Sequence, residues 1–255
     1  MVYKVINRKT VLSLFDGWDE TLIWSCLQGI MGNIYTTDLR KPTAAMAIVG
    51  DFAFFAGIAS TELVSYKPDW CTQDFIIMVP QNEDWQNTIV NYYGNRAKIV
   101  SRYATKKESD VFNKAKLEKV VSSLPNDYNL CPIDQTIYNM CKSESWSCDL
   151  VSQFPNYSKY CKLGLGFVIC KDNRIVSGAS SYARYQEGIE IEIDTKEEYR
   201  RKGLAYVCGA KLILECQKRN LYPSWDAQNK NSLALAEKLG YHYSHSYKAV
   251  EIRKY

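Results

Sequence analysis

The chain has 255 residues, 46% hydrophobic and 24% charged, which suits one large soluble domain or two modest ones with a sizeable core. A net charge of +4, spread over 32 basic and 28 acidic residues, gives no case for nucleic acid. There is no apolar run of about 18 residues to span a membrane and no secretory-type leader at the start, so a cytoplasmic protein is expected.

The nine cysteines run from Cys26 to Cys216, are odd in number and form no C-x-x-C pair. His242 and His245 have no cysteines nearby at ligand spacing. Reduced, mostly buried thiols and no metal site are expected.

Residues 10–31 carry Leu12, Leu14, Phe15, Leu22, Ile23, Cys26, Leu27 and Ile30 at helical spacing, with Asp16-Gly17 placed to split the segment. A short strand follows at 33–38. Next come two β-rich runs on either side of Gly50-Asp51, a hairpin signal. Residues 74–80, DFIIMVP, read as a buried strand stopped by proline. NEDWQNTIVNYYG reads as a helix ended by Gly94, AKIVSRYATKK as a strand, and DVFNKAKLEKVVSSL as a helix with an acidic start. Trp18, Trp24, Phe52, Phe54 and Phe55 are expected in the core, and Phe54-Phe55 is the first place to seek cleft residues. The polar turn Pro125-Asn126-Asp127 marks a seam between an N-terminal α/β domain, 1–124, and a second domain, 125–255.

The second half restarts with a strand at 128–134. Two short helical stretches follow, QTIYNMC and the region around CDLVSQF, and then a hairpin of LGFVIC and RIVSGASSYARY about Lys171-Asp172-Asn173. In IEIEIDTKEEYRRKGLA, residues 189–205, Ile189, Ile191 and Ile193 alternate with Glu190, Glu192 and Asp194, the mark of a strand with one buried face. A basic turn, Arg200-Arg201-Lys202-Gly203-Leu204-Ala205, opens the next helical run. The first amides of a helix lack partners and its dipole favours negative charge, so residues 200–206 suit a phosphate group. PSWDA is a short strand, Asn229 opens a helix stopped by Gly240, and YHYSHSYKAVEI supplies one or two closing strands.

That order, with the R-x-x-G-x-A turn at 200–205 and N-K-N-S-L-A-L-A-E-K-L-G-Y at 229–241, resembles the GCN5-related N-acetyltransferase (GNAT) superfamily over residues 125–255. The complete chain looks like bacterial two-domain members of that group. The resemblance implies an α/β (α+β) fold with a mixed, mostly antiparallel central sheet, and acetyl-CoA as co-substrate without a metal. The pyrophosphate would lie on the turn Arg200, Arg201, Lys202, Gly203, Leu204, Ala205 and Tyr206. Gly203 and Ala205 would let the backbone approach it closely. The pantetheine arm would lie along the main chain of Ile193, Asp194 and Thr195, with Asn229 and Ser232 contacting the cofactor; the plainer reading of Asn229 is a helix cap.

The chemistry implied is direct attack of a neutral amine on the thioester, in a ternary complex with a small and cationic acceptor. Glu190 and Glu192, on the polar face of the strand, are the candidate bases, with binding of a cationic substrate as the other reading. The tyrosine that protonates the CoA thiolate in many members is matched here by Ala236, leaving Tyr241, Tyr243, Ser232 or water as substitutes. A CoA-binding sensor or scaffold without turnover is therefore the alternative function. The N-terminal half repeats a strand–helix–strand order, and its turn Pro80-Gln81-Asn82-Glu83-Asp84 is acidic and lacks glycine. That suggests a degenerate copy of the fold that walls the substrate cleft, against an unrelated α/β cap.

Overall fold

The computed structural model describes all residues, Met1–Tyr255. In chain order the first part contains β1 (Tyr3–Lys4), a 3-10 segment (Arg8–Phe15), α1 (Thr21–Gln28), β2 (Asn33–Thr36), β3 (Ala44–Val49), β4 (Phe52–Gly57), α2 (Thr61–Val64), β5 (Phe75–Pro80), α3 (Glu83–Tyr93) and β6 (Ala97–Thr105). There follow α4 (Lys114–Ser122), β7 (Asn129–Pro132), α5 (Gln135–Ser143), α6 (Tyr157–Leu163), β8 (Gly166–Lys171), β9 (Arg174–Tyr185) and β10 (Gly188–Thr195). The last elements are α7 (Leu204–Lys218), β11 (Tyr222–Ser224), β12 (Asp226–Ala227), α8 (Lys230–Leu239) and β13 (Tyr243–Arg253). No helix is long and apolar enough to cross a membrane.

Two helix starts differ from the sequence expectation. The acidic start at 110 is not used: α4 begins after Asn113, whose side chain accepts the Lys116 N–H at 2.9 Å. CDLVSQF forms only a 3-10 turn, Cys148–Leu150, and the helix comes later at α6. Pro155 disfavours helical geometry at Phe154, and Asn156 just beyond it caps α6 by accepting from Lys159 N–H at 3.0 Å.

The chain divides into two units, Met1–Arg102 with Ser246–Tyr255, and Tyr103–His245. The division does not fall at the 125–127 turn. Leu117 of α4 is fully buried with the α7 residues Cys208 and Leu212, so the apolar face of α4 places it in the second unit. Strands β6 and β13 each begin in one unit and finish in the other.

In the first unit β1, β2, β3 and β4 are antiparallel neighbours, β5 joins β4 in parallel, and β13 pairs antiparallel with β5. Its core gathers Met46, Phe55, Met78, Trp85, Ile89, Val250 and Ile252. Phe54 and Phe55 are fully buried, so they are core residues and not cleft residues. Trp18 and Trp24 are only half-buried, against the expectation for the core.

The second unit has the order β11-β10-β9-β8-β7, antiparallel except for the parallel pair β10/β11. Ile189 and Ile191 pack with Leu204, Val207, Cys208 and Leu212 on the α7 side of this sheet. Gly209 permits that approach: a Cβ there would lie 2.8 Å from Leu239 and 3.2 Å from Ile193. Residues read in sequence as one strand, PSWDA, serve two partners. Tyr222–Ser224 pairs with β10, whereas Asp226 and Ala227 pair with Ala104 and Tyr103 of β6.

The two units share a connectivity. Each has antiparallel strands, then a parallel pair joined through a helix, then an asparagine-capped helix: β4-α2-β5-α3 in the first, β10-α7-β11-α8 in the second. The counterpart of the 200–206 turn is therefore Gly57–Thr61, one strand earlier than the Pro80–Asp84 turn the sequence suggested. Asn82 is instead the counterpart of Asn229; it accepts the Trp85 N–H at 3.1 Å, as Asn229 accepts the Ser232 N–H at 3.0 Å. At Gly57–Thr61 the following helix has only four residues, the Ser60 hydroxyl caps it, and Glu62 lies in its first turn. Nothing there favours an anion.

Candidate functional site

The site is built where β10 and β11 part. Their parallel ladder covers only Gly188–Glu190 against Tyr222–Ser224. Beyond it β10 continues to Thr195 paired with β9 alone, while the other chain turns away at Trp225. Trp225 is a fixed pivot: its indole N–H donates to Ser232 Oγ at 3.2 Å, and its carbonyl accepts from Thr105 Oγ1 at 2.7 Å. Glu190 spans the opening, its Oε1 accepting the Asp226 N–H at 2.7 Å.

The edge of β10 left open has a defined chemistry. Lys196 N–H donates to the Val176 carbonyl and the Asp194 carbonyl accepts from Ser177 Oγ, so these groups face β9. By the alternation of an antiparallel strand, the main chain of Ile191, Ile193 and Thr195 faces the open side. The Thr195 carbonyl is taken there by Arg200 Nε at 3.2 Å, which ties the basic turn to the strand end.

The turn leads into the 15-residue α7 with no side-chain cap. Arg201 and Gly203 are both left-handed, at φ 62° and 81°. A Cβ on Gly203 would meet nothing within 4 Å, so glycine serves the backbone conformation here and the space above it is open. The amides of Leu204, Ala205 and Tyr206 have no acceptor within the helix. Leu204 is buried and anchors the helix start; Tyr206 donates to the Lys238 carbonyl at 3.3 Å. Lys202 lies over the Tyr199 ring at 4.5 Å, and Arg201 is exposed.

The carboxylate face of β10 is not uniformly exposed. Glu190 is buried, whereas Glu192 and Asp194 are half-buried. Desolvation is the main reason the Asp194 carboxyl titrates above its ordinary range, against a hydrogen bond from Thr195 N–H at 2.8 Å and the nearby Arg200; Asp149 adds to the rise. Glu192 stands opposite Ser180, and Ser180 opposite Gly166. The Tyr160 and Ser180 hydroxyls are 2.9 Å apart, and Gly166 makes room for them: a Cβ there would lie 2.5 Å from the tyrosine oxygen. Tyr160, Ser180 and the pivot Trp225 carry no sequence motif, since only strand register and the late start of α6 bring them to the site.

Asn229 Oδ1 is used as the cap of α8, and Ser232 Oγ by Trp225. Ala236 is fully buried in the core. Tyr241 is buried too, donates to the Pro223 carbonyl at 2.6 Å, and burial holds its hydroxyl well above the usual tyrosine range. Tyr243 is exposed. No three histidine, cysteine or carboxylate side chains gather in metal-binding geometry.

A mixed sheet whose one parallel pair splays beside an uncapped helix start is the architecture of N-acetyltransferases. A family model of GNAT acetyltransferases matches residues 12–250, and the chain belongs to that family. It is 28% identical to the uncharacterized N-acetyltransferase YdfB of Bacillus subtilis strain 168, over 94% of this chain and 95% of the relative. It is 45% identical to a GCN5-related N-acetyltransferase-like protein from Streptococcus suis 89/1591, with a TM-score of 0.91 over 97% of this chain and 98% of that one. A tandem GNAT protein from the clavulanic acid biosynthesis pathway shares the fold at 7% identity, with a TM-score of 0.52 over 100% of this chain and 99% of its own.

Proposed function

We propose that the protein is an acetyl-CoA-dependent N-acetyltransferase acting on the primary amine of a small, cationic substrate. The observation that carries this reading is the continuity of the open β10 edge, through the Arg200–Thr195 tie, into the uncapped start of α7. The main chain of Ile191 and Ile193 along the open edge of β10 suits an amide-bearing arm laid alongside as an extra strand. The Leu204–Tyr206 amides and Arg201 suit the pyrophosphate that follows such an arm. Acetyl-CoA supplies the activated acyl carbon.

Glu192 is the group that accepts the ammonium proton of the acceptor, directly or through one water, leaving the neutral nitrogen free to form the C–N bond; the thioester C–S bond breaks, and CoA leaves as the thiol after its thiolate takes up the second proton that the nitrogen sheds. Glu190 holds the opening through Asp226 N–H, and the remaining negative charge of this face attracts a cationic acceptor. Thiol release from acetyl-CoA across an amine panel tests the reading. Glu192→Gln should lower turnover by about 10²–10⁴-fold with CoA affinity unchanged, while Glu190→Gln retains an oxygen for Asp226 N–H. Unchanged turnover in Glu192→Gln would remove it from the base role.

A CoA-binding sensor without turnover is the second reading, favoured by one observation: Ala236 is buried and the Tyr241 hydroxyl is committed to Pro223. CoA binding with no thiol release for any amine selects it.

A further inference from the structure

The gap between β10 and β11 is closed at one end, and buried groups that fix one another make the closure. The parallel ladder ends at Glu190, opposite Ser224. At the same point β10 is irregular against β9: Glu190 lies opposite Ala183, whereas Ile191 lies opposite Ser181. A bulge re-aims the side chains beside it, and here the Glu190 carboxylate crosses the gap to the Asp226 N–H at 2.7 Å. Glu190 is 7% exposed, Ser224 4% and Trp225 5%, so the end of the gap is filled by protein. The far chain is pinned on both sides of this point. Tyr241 Oη donates to the Pro223 carbonyl at 2.6 Å, and Thr105 Oγ1 to the Trp225 carbonyl at 2.7 Å. The Trp225 ring is held as well, bonded to Ser232 Oγ and packed edge-on against Tyr241 at 5.5 Å.

An arm laid along the open main chain of Ile191, Ile193 and Thr195, with its pyrophosphate at the start of α7, brings its thioester end to Ile191. The acyl group then points at Glu190. One residue of strand, about 3.3 Å, separates the last open main-chain position from that closure. A methyl group, one C–C bond of about 1.5 Å beyond the carbonyl carbon, fits in the interval. A four-carbon chain does not. It meets the buried carboxylate and the fixed Trp225, and to advance it must break the Glu190–Asp226 bond and strand a backbone donor. We infer that Glu190, held across the gap by the Asp226 N–H, sets the acyl-chain length, admitting acetyl and excluding butyryl and longer groups. That role is separate from proton acceptance at Glu192, and it presupposes the acetyl-CoA site proposed above.

Calorimetry on the full chain with CoA, acetyl-CoA and butyryl-CoA, and no amine present, tests this without turnover. The wild type should bind acetyl-CoA within about threefold of CoA, and butyryl-CoA about tenfold more weakly or worse. Glu190→Ala removes the closure and should bring butyryl-CoA to within about twofold of acetyl-CoA. Glu190→Gln keeps an oxygen for the Asp226 N–H and should preserve the wild-type gap. The wild-type series needs no variant, so it decides the matter even where Glu190→Ala folds poorly. Equal binding of acetyl-CoA and butyryl-CoA by the wild type, or an unchanged gap in folded Glu190→Ala, would overturn the assignment of acyl length to Glu190. Failure of CoA itself to bind would instead overturn the acetyl-CoA reading, and the acyl selection with it.

Discussion

Glu190 and Asp226 sit on strands that have just parted, and the Glu190 carboxylate replaces the ladder partner that the Asp226 amide has lost on that side. Removing the carboxylate leaves a backbone donor in a poorly solvated gap. Glu190→Ala should cost about 1–3 kcal/mol, or roughly 3–10 °C in Tm, and Glu190→Gln distinctly less. Thermal melts of the two variants check this, with equal losses counting against the bridge.

Gly203 is constrained by its backbone, not by neighbours. Gly203→Ala forces an L side chain to φ 81° at a cost of about 1–2 kcal/mol, and sets a methyl in the space assigned to the pyrophosphate. Calorimetry with CoA should show affinity falling by about tenfold or more, beyond what a destabilised but folded protein would lose. Arg201→Gly, which relieves a left-handed residue, should raise stability while weakening CoA through the lost charge.

Asp194 gives a pH signature. Its carboxyl is raised by burial, so the folded state holds the proton more tightly than the unfolded one. The stability this contributes is fully present below the ordinary aspartate range and is lost as pH rises through the raised folded value. Asp194→Asn keeps an oxygen for the Thr195 N–H and removes the buried charge. It should therefore stabilise the protein at neutral pH, with the gain vanishing in acid. Denaturant melts at several pH values measure it, and a gain that persists below the aspartate range would contradict the assignment.

Gly166 is a packing glycine. A methyl there would lie 2.5 Å from the Tyr160 oxygen and 2.7 Å from Ser180 Oγ and Ile133 Cδ1. Gly166→Ala should cost about 1–3 kcal/mol. Tyr160→Phe deletes one of the three clashes, so the double variant should lose less than the sum of the singles. Strict additivity would show that the two positions do not share space.

What could be read from sequence was whatever rests on local rules. The 189–195 alternation, the glycine turn at 203, the Gly50-Asp51 hairpin and the Asn229 cap each have a signature within a few residues, and all four appear where expected. The failures are tertiary. The alternation placed Glu190 on a polar face but could not tell that a strand change at Trp225 would bury it. PSWDA is a strand by propensity, and nothing in five residues reveals two partners. Hydrophobicity alone places Trp18 and Trp24 in the core, yet a glycine turn leaves them lining a pocket. The repeat of the fold in the first half was visible as element order, but only the parallel pairing of β4 and β5 fixes which turn corresponds to which.

The passage of β13 into the first unit has a consequence for how the polypeptide is made. Residues 103–245 are contiguous, so that unit can close as soon as they emerge, whereas the first unit must wait for Ser246–Tyr255. Until then β5 has no neighbour on its β13 side, and Met78 and Ile76 lack the cover of Val250 and Ile252. The part synthesised first is thus the part completed last, reversing the usual vectorial order. Residues 1–102 expressed alone would expose an apolar strand edge, the kind of surface that invites aggregation.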